Sequence, residues 1–486
     1  MRSFPAAKRS GRSWSRSLLG GGDGSAAAAG AQIDRSGRRL GQAALWAAAA
    51  GFVLAPFFYW RGGLLETEAT QFIPHYLDGR PLLQKIFDPR TNDFGAYQAR
   101  ELSYLLDWVD AHAFDALLSR GAVVFVPLSA VLSSVLAVVV FGVGARRVLQ
   151  RADPIAAALV LLLYLSGFTF LVTVGLYYRS GKAWAVPVLL ALMFTLVHAA
   201  RDAVRGRRAF PVVLGLALVA GLLDRQGFFF VLVALLVMGL WSLRQRAARP
   251  VAAALALAAA LAEVYNRWLA PAIVLRVNGY APRFKYQDIS PWAPVRKPVR
   301  LREAIEVMSD SASLVLGSLP VWSCALLAGL AVAWWAVRGR REARALLPGL
   351  TVGAVALAQV YMFALMIARH RPVYEFHDHR VWYYPLLFQV LIVCGLVLAV
   401  EAVTPQLSRA GLWTVRGALL ALVVSNVWHW PRQRAGMEPW FPHVHEQSVL
   451  LKRSFREGRP HPGLQADERG FFDAIAARHP PDGPRP

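Results

Sequence analysis

Charge is scarce in this chain, and acid is scarcer than base. Only 17% of its 486 residues are Asp, Glu, Lys or Arg, and 30 acids face 53 bases, for a formal net charge of +23. An ordinary soluble protein carries about a quarter charged residues, so the shortage excludes a typical water-soluble fold. Cysteine is nearly missing too. The two present, Cys324 and Cys394, fall inside apolar runs, where they act as small hydrophobes and point to neither a disulfide framework nor a metal site. The base excess is no nucleic-acid signal, because the arginines sit in short clusters between apolar runs and form no single patch or stripe. No cleavable signal peptide is expected, since the first apolar run follows residues 1–40 and is long enough to span. That leader, rich in Arg, Ser, Gly and Ala, reads as a disordered basic tail.

What the chain has in abundance is apolar surface: 56% of residues are hydrophobic and the mean hydropathy is +0.40. The apolar residues gather into runs of roughly 16 to 24, enough to cross a hydrocarbon core of about 30 Å as helix. The runs are Gly41 to Trp60, Gly121 to Gly144, Pro154 to Val174, Ala183 to Ala200, a short split pair (Phe210 to Leu223 and Gly227 to Leu243), Val251 to Ala270, Ser313 to Val337, Leu347 to Ala368, Trp382 to Val400 and Gly411 to Trp428. They predict an all-α fold, a polytopic transmembrane helix bundle of about eleven spans, with a membrane domain over residues 41–430. No internal repeat of the inverted kind is visible.

Orientation follows the bias of Lys and Arg toward cytoplasmic loops. Basic clusters occur at Arg35, Arg38 and Arg39; Arg146, Arg147 and Arg151; Arg201, Arg205, Arg207 and Arg208; Arg244, Arg246 and Arg249; and Arg338, Arg340, Arg341 and Arg344. They follow every second span. The pattern predicts a protein of the cytoplasmic (inner) membrane with its N-terminus inside and the tail, residues 431–486, outside. The outer face then carries the long connections 61–120 and 271–310, the shorter 369–381, and the tail. Long loops on a helical scaffold are where binding and catalytic groups tend to stand.

The first outer connection opens with Glu66-Thr67-Glu68, and Phe72, Ile73, Tyr76 and Leu77 follow at helical spacing. A short interfacial helix is expected. Its two acids are either reactive carboxylates or caps for the first-turn amides. Farther on, Asp93 precedes an amphipathic stretch with Leu102, Leu105, Leu106, Val109 and Ala113 on one stripe, expected to lie in the interface plane. Arg100 and Glu101 at its start bind a sugar or phosphate, or form a solvated face. Asp224-Arg225-Gln226 interrupts the split pair, as either a functional charged group or a hairpin tip reaching water.

The connection 271–310 holds Arg276, Arg283, Lys285, Arg296, Lys297, Arg300 and Arg302 among Tyr280, Phe284, Tyr286 and Trp292, more base than an outer loop needs. It points to an anionic partner such as a lipid phosphate or pyrophosphate, or to phospholipid headgroups. The last outer connection reads His377-Asp378-His379-Arg380 before Trp382-Tyr383-Tyr384-Pro385. Consecutive His-Asp-His is a weak metal spacing, so no metal is expected there, and Arg380 reads as an anion ligand.

With a cytoplasmic N-terminus, a long first outer loop that opens on acids and contains interfacial helices, and a late Arg-Val-Trp-Tyr-Tyr-Pro segment entering a span, the chain resembles the polytopic glycosyltransferases of the GT-C superfamily. That resemblance implies transfer of a sugar from a polyprenyl-phosphate carrier to a glycan, lipid or protein acceptor on the extracytoplasmic face. It implies a catalytic carboxylate at Glu68 or Glu66, with Asp93 and Glu101 in reserve, although the family more often has Asp or Asp-Glu where this chain has Glu-Thr-Glu. It also implies that Arg380, with His379, meets the carrier phosphate, and Arg100, Arg225, Arg296 and Lys297 are further candidates for that anion. No cofactor is expected, and a divalent metal is left open. A transporter or flippase of lipid-linked sugars and a non-enzymatic membrane protein are the competing classes.

Overall fold

A computed structural model describes residues 42–88, 96–97, 99–178, 180–199, 203–281, 283–284, 385–435 and 440–479. Contacts divide the chain into a first unit, residues 1–46, and a second, residues 47–486; the following concerns the second, apart from the start of the first helix. In chain order the helices are α1 (Gln42–Tyr59), α2 (Thr67–Leu77), α3 (Leu82–Ile86), α4 (Glu101–Ser119), α5 (Leu128–Val148), α6 (Pro154–Leu165), α7 (Phe168–Gly175), α8 (Gly181–Ala199), α9 (Ala203–Leu223), α10 (Arg225–Arg244), α11 (Arg249–Val264), α12 (Ala270–Asn278), α13 (Pro385–Val403), α14 (Arg409–Trp428), α15 (Trp430–Ala435), α16 (Trp440–Glu457) and α17 (Ala466–Ala476). Four two-residue strands, β1 (Leu64–Leu65), β2 (Ala96–Tyr97), β3 (Leu176–Tyr177) and β4 (Arg283–Phe284), make the parallel pairs β1–β3 and β2–β4.

Helix stands at every expected apolar run among the described residues; the runs at 313–337 and 347–368 lie outside them. Among the described residues six helices are long and apolar enough to cross a membrane, seven if one bent pair counts as a single span. The helix from Arg246 to Asn278 is the longest of these and contains a π turn at Tyr265–Leu269. Exposed Leu132, Val139, Leu257 and Leu261 leave an apolar outer surface on two of these helices, as contact with lipid tails requires.

The bent pair is α6 and α7, which meet at 57° across Ser166 and Gly167 where one continuous span is expected from the sequence. A bend in apolar surroundings frees carbonyls that must find donors. Neighbouring side chains supply them: Trp430 Nε1 donates to Ser166 O (2.9 Å), Asn426 Nδ2 to Leu163 O (3.1 Å), and Trp60 Nε1 to Leu171 O (2.9 Å). At the other end of α6, Asp153 caps the first turn through Ala156 N–H and takes Arg416 of α14 at 2.6 Å. Losing one partner of such a buried pair costs about 3–5 kcal/mol.

The first long connection and the tail share a core. Phe72, Ile73 and Tyr76 of α2, Tyr104 and Phe114 of α4, Leu451 of α16, and Phe471 and Ile475 of α17 pack into one buried cluster. Polar clasps reinforce it: Arg478 donates to Leu77 O (2.6 Å) and His479 meets Asp115 at 2.8 Å. The described residues of 61–120 and residues 440–479 therefore pack together, and are expected on the same side of a membrane. In a chain with Cys324 and Cys394 replaced by Ser, cysteines at Ser119 and Arg459 should react with a membrane-impermeant maleimide from one side. Cysteines at Arg147 and Arg207 should react only from the other. Labelling of Ser119→Cys and Arg459→Cys from opposite sides would contradict this packing.

Candidate active site

The chain leaves α1 in a tight turn that only glycine fits. Gly62 and Gly63 have φ of +84° and +86°, and a Cβ on Gly63 would strike the Phe125 carbonyl. The turn delivers β1 beside β3, with Leu64 opposite Leu176 and Leu65 opposite Tyr177. Glu66 N–H donates to Tyr177 O at 3.3 Å. Leu65 N–H donates to Ser448 Oγ (2.8 Å), and buried Lys452 donates to Arg61 O (3.0 Å) and Gly63 O (2.5 Å).

The two acids that follow divide their roles. Glu66 is buried and is the N-cap of α2, accepting from Glu68 N–H at 2.5 Å; this is the capping role, in which a side-chain oxygen satisfies a first-turn donor. Glu68 is half-buried, and its carboxylate accepts from the Tyr178 hydroxyl at 2.8 Å. Tyr178 comes from the segment that α7 and β3 carry in. Beyond it lies buried Lys182, in the first turn of α8, within electrostatic reach of Glu68, Arg100 and Asp224. Arg100 precedes α4 and donates through Nε to Tyr104 Oη (3.2 Å) while stacking over that ring. Glu101, buried, interacts with Tyr265.

Helix α4 turns its polar side inward. Glu101, Ser103, Asp107 and Asp110 are buried, whereas Val109 is exposed and Leu102, Leu105, Leu106 and Ala113 are half-buried. The solvated reading of Glu101 thus does not hold. Asp110 accepts from Ser129 N–H (2.8 Å), Ser129 Oγ (2.6 Å) and Ser180 Oγ (2.8 Å), tying α4 to the first turn of α5 and to the segment before α8. Burial pushes its pKa up to about 6, with the Ser129 and Ser180 donors pulling the other way. Burial, then the charges of Asp110 and Asp107, raises the Tyr177 hydroxyl well above its ordinary value.

Of the carboxylates and bases named from sequence, the fold gathers Glu68, Arg100 and Asp224 around Lys182 and holds Glu66 and Glu101 at the starts of the flanking helices. Asp224 follows α9 as a buried group. Arg225 begins α10, and its side chain lies outside the described residues, as do Asp93, Arg296, Lys297, His379 and Arg380. Tyr178, Lys182, Asp107 and Asp110 escaped the sequence reading. A signal for two of them exists in Tyr177-Tyr178-Arg179-Ser180-Gly181-Lys182, which sets two bases on a side that the charge bias leaves poor in base. Among the described residues no group of three or more His, Cys, Asp or Glu is placed to hold a metal ion.

The chain matches no protein-family model, no curated protein and no solved structure among those compared.

Asp110 yields a pH test. Its folded pKa, about 6, lies above the ordinary 3.8, so between those values the folded chain holds a proton that the unfolded chain has lost. Stability must then fall as pH rises through that window. Thermal melts of the purified protein in detergent should show a steeper decline from pH 4 to 6 for the wild type than for Asp110→Asn. Equal slopes would remove Asp110 as their source.

Proposed function

We propose that this chain is a membrane glycosyltransferase that moves a sugar from a polyprenyl-phosphate carrier to an acceptor on the extracytoplasmic face, with Glu68 as general base. The observation that carries the reading is the cluster of Glu68, Tyr178, Arg100, Lys182 and Asp224, the last two at the ends of the span-length helices α8 and α9, where acid and base meet. Sugar transfer needs both. The acceptor oxygen attacks the anomeric carbon and gives its proton to a carboxylate; the bond from that carbon to the carrier phosphate breaks, and the departing phosphate keeps the electron pair. Cations held out of water stabilise that charge as it develops.

Glu68 is favoured over Glu66 because Glu66 is buried and caps α2, whereas the Glu68 carboxylate is half-buried beside the Tyr178 hydroxyl and within electrostatic reach of Lys182. Lys182 and Arg100 are the cations assigned to the phosphate, and the carrier, being a lipid, reaches them from the bilayer. The N-terminus is assigned to the cytoplasm by the basic clusters, which puts the shared core of loop and tail outside.

A second reading, a transporter or flippase of lipid-linked sugars, is favoured by the break between α6 and α7, since discontinuous helices line many transport sites. It fits the charges less well, because Lys182 and Asp224 stand at helix ends and not midway along a span.

Glu68→Gln should insert and fold but lose transfer from a radiolabelled polyprenyl-phosphate sugar in isolated membranes by about a hundredfold or more. Glu66→Gln should lower thermal stability by about 1 kcal/mol and spare the chemistry. Full transfer by the double variant would refute the assignment and shift attention to Asp93 and Glu101. Carrier translocation without transfer would favour the second reading.

A further inference from the structure

A second cluster of cations stands where α1 and α14 end, and the proposed chemistry does not use it. The guanidinium of Arg434, on α15, lies 4.6 Å from the ring centre of Phe441, 5.9 Å from that of Trp60 and 6.0 Å from that of Tyr59. His445 stacks on the same Phe441 ring, with centroids 5.3 Å apart and planes at 29°. Trp430 closes the side toward α1, 5.5 Å from Tyr59 and 6.3 Å from Phe52. The cage fixes a cation in one place before any ligand arrives, which lowers the ordering cost of binding.

Burial, and then the charges of Arg434, Lys452 and Arg61, hold the pKa of half-buried His445 below its ordinary value. Arg456 acts on Lys452. Arg61 is exposed and has φ of 49°, the one non-glycine left-handed backbone among the described residues. Like charges brought together beside aromatic surface repel, and their approach calls for a counter-charge. Lys452 already donates to two carbonyls, so the groups left to meet an anion are Arg61, Arg434 and His445.

The height of the cluster identifies the anion. Tyr59, Trp60, Trp428 and Trp430 mark the ends of two span-length helices, and rings of this kind sit at the headgroup level of a bilayer. At that level the abundant anion is the phosphate of a phospholipid. We infer that Arg61, Arg434 and His445 form a binding site for the phosphate group of an anionic phospholipid headgroup, with Tyr59, Trp60 and Phe441 as its walls.

The site is independent of the Glu68 reading, and phosphatidylglycerol, which donates no sugar, is a suitable probe. Full-length protein, delipidated in neutral detergent, would be titrated with dioleoyl phosphatidylglycerol and, separately, with sodium phosphate, and lipid adducts counted by native mass spectrometry. Arg61→Gln and Arg61→Gln/Arg434→Gln should weaken lipid binding by about tenfold or more in the double variant, while Glu68→Gln binds as wild type. Arg61→Gln alters only an exposed side chain and leaves the ring cage whole, so its loss of affinity is readable even if the double variant fails to fold. Competition by sodium phosphate that disappears in the same variants would uphold the site with a soluble phosphate as its ligand. Lipid affinity unchanged in Arg61→Gln, and in whichever Arg434 variant folds, would overturn it.

Discussion

Everything on the loop-and-tail side of this protein depends on satisfying the backbone of five residues, Arg61 to Leu65. A chain leaving a membrane helix in extended form carries donors and acceptors that have lost their helical partners and are not yet in water. Here the partners come from three distant segments. Phe125 N–H donates to Gly62 O at 2.7 Å, β3 lies beside β1, and Lys452 and Ser448 reach in from the tail. Each of these contacts brings its own cargo. Phe125 leads into α5, β3 sets Tyr178 against Glu68, and the tail brings the aromatic residues of α17 onto α2. The arrangement of the polar cluster is thus a by-product of pairing one short stretch of backbone.

The inward turn of α4 is the second organising choice. Burying Asp107 and Asp110 costs several kcal/mol unless donors await them, and Asp110 has three. The return is a polar interior at the edge of an apolar layer, where hydrogen bonds are stronger than in water and where an unmatched group would be correspondingly costly.

How far the fold could be read from sequence differs by element. The spanning helices were legible because runs such as Leu128 to Val143 answer to one requirement, the thickness of a bilayer, which composition alone expresses. The acids of the first connection were legible as a group, being charge in a chain short of it. The kink at Ser166 and Gly167 was not, because the donors that permit it, Trp430 and Asn426, lie more than 250 residues away. The inward side of α4 was hidden for a related reason: its pattern shows which residues share a face but not whether a polar face meets water or Ser129 and Ser180. Lys182 was masked by its position at the start of an apolar run, where a single base reads as a flank.

The clasp of Lys452 on Gly63 spans 389 positions of sequence, and that separation carries a consequence for biogenesis. During insertion the first connection emerges early and must wait, with its apolar residues Phe72, Ile73 and Phe114 uncovered, until nearly the whole chain has been made. Contacts of such long range close slowly. Closure of that core is accordingly a late event: the aromatic surface of α2 and α4 is covered only once the last helices of the chain exist to pack on it.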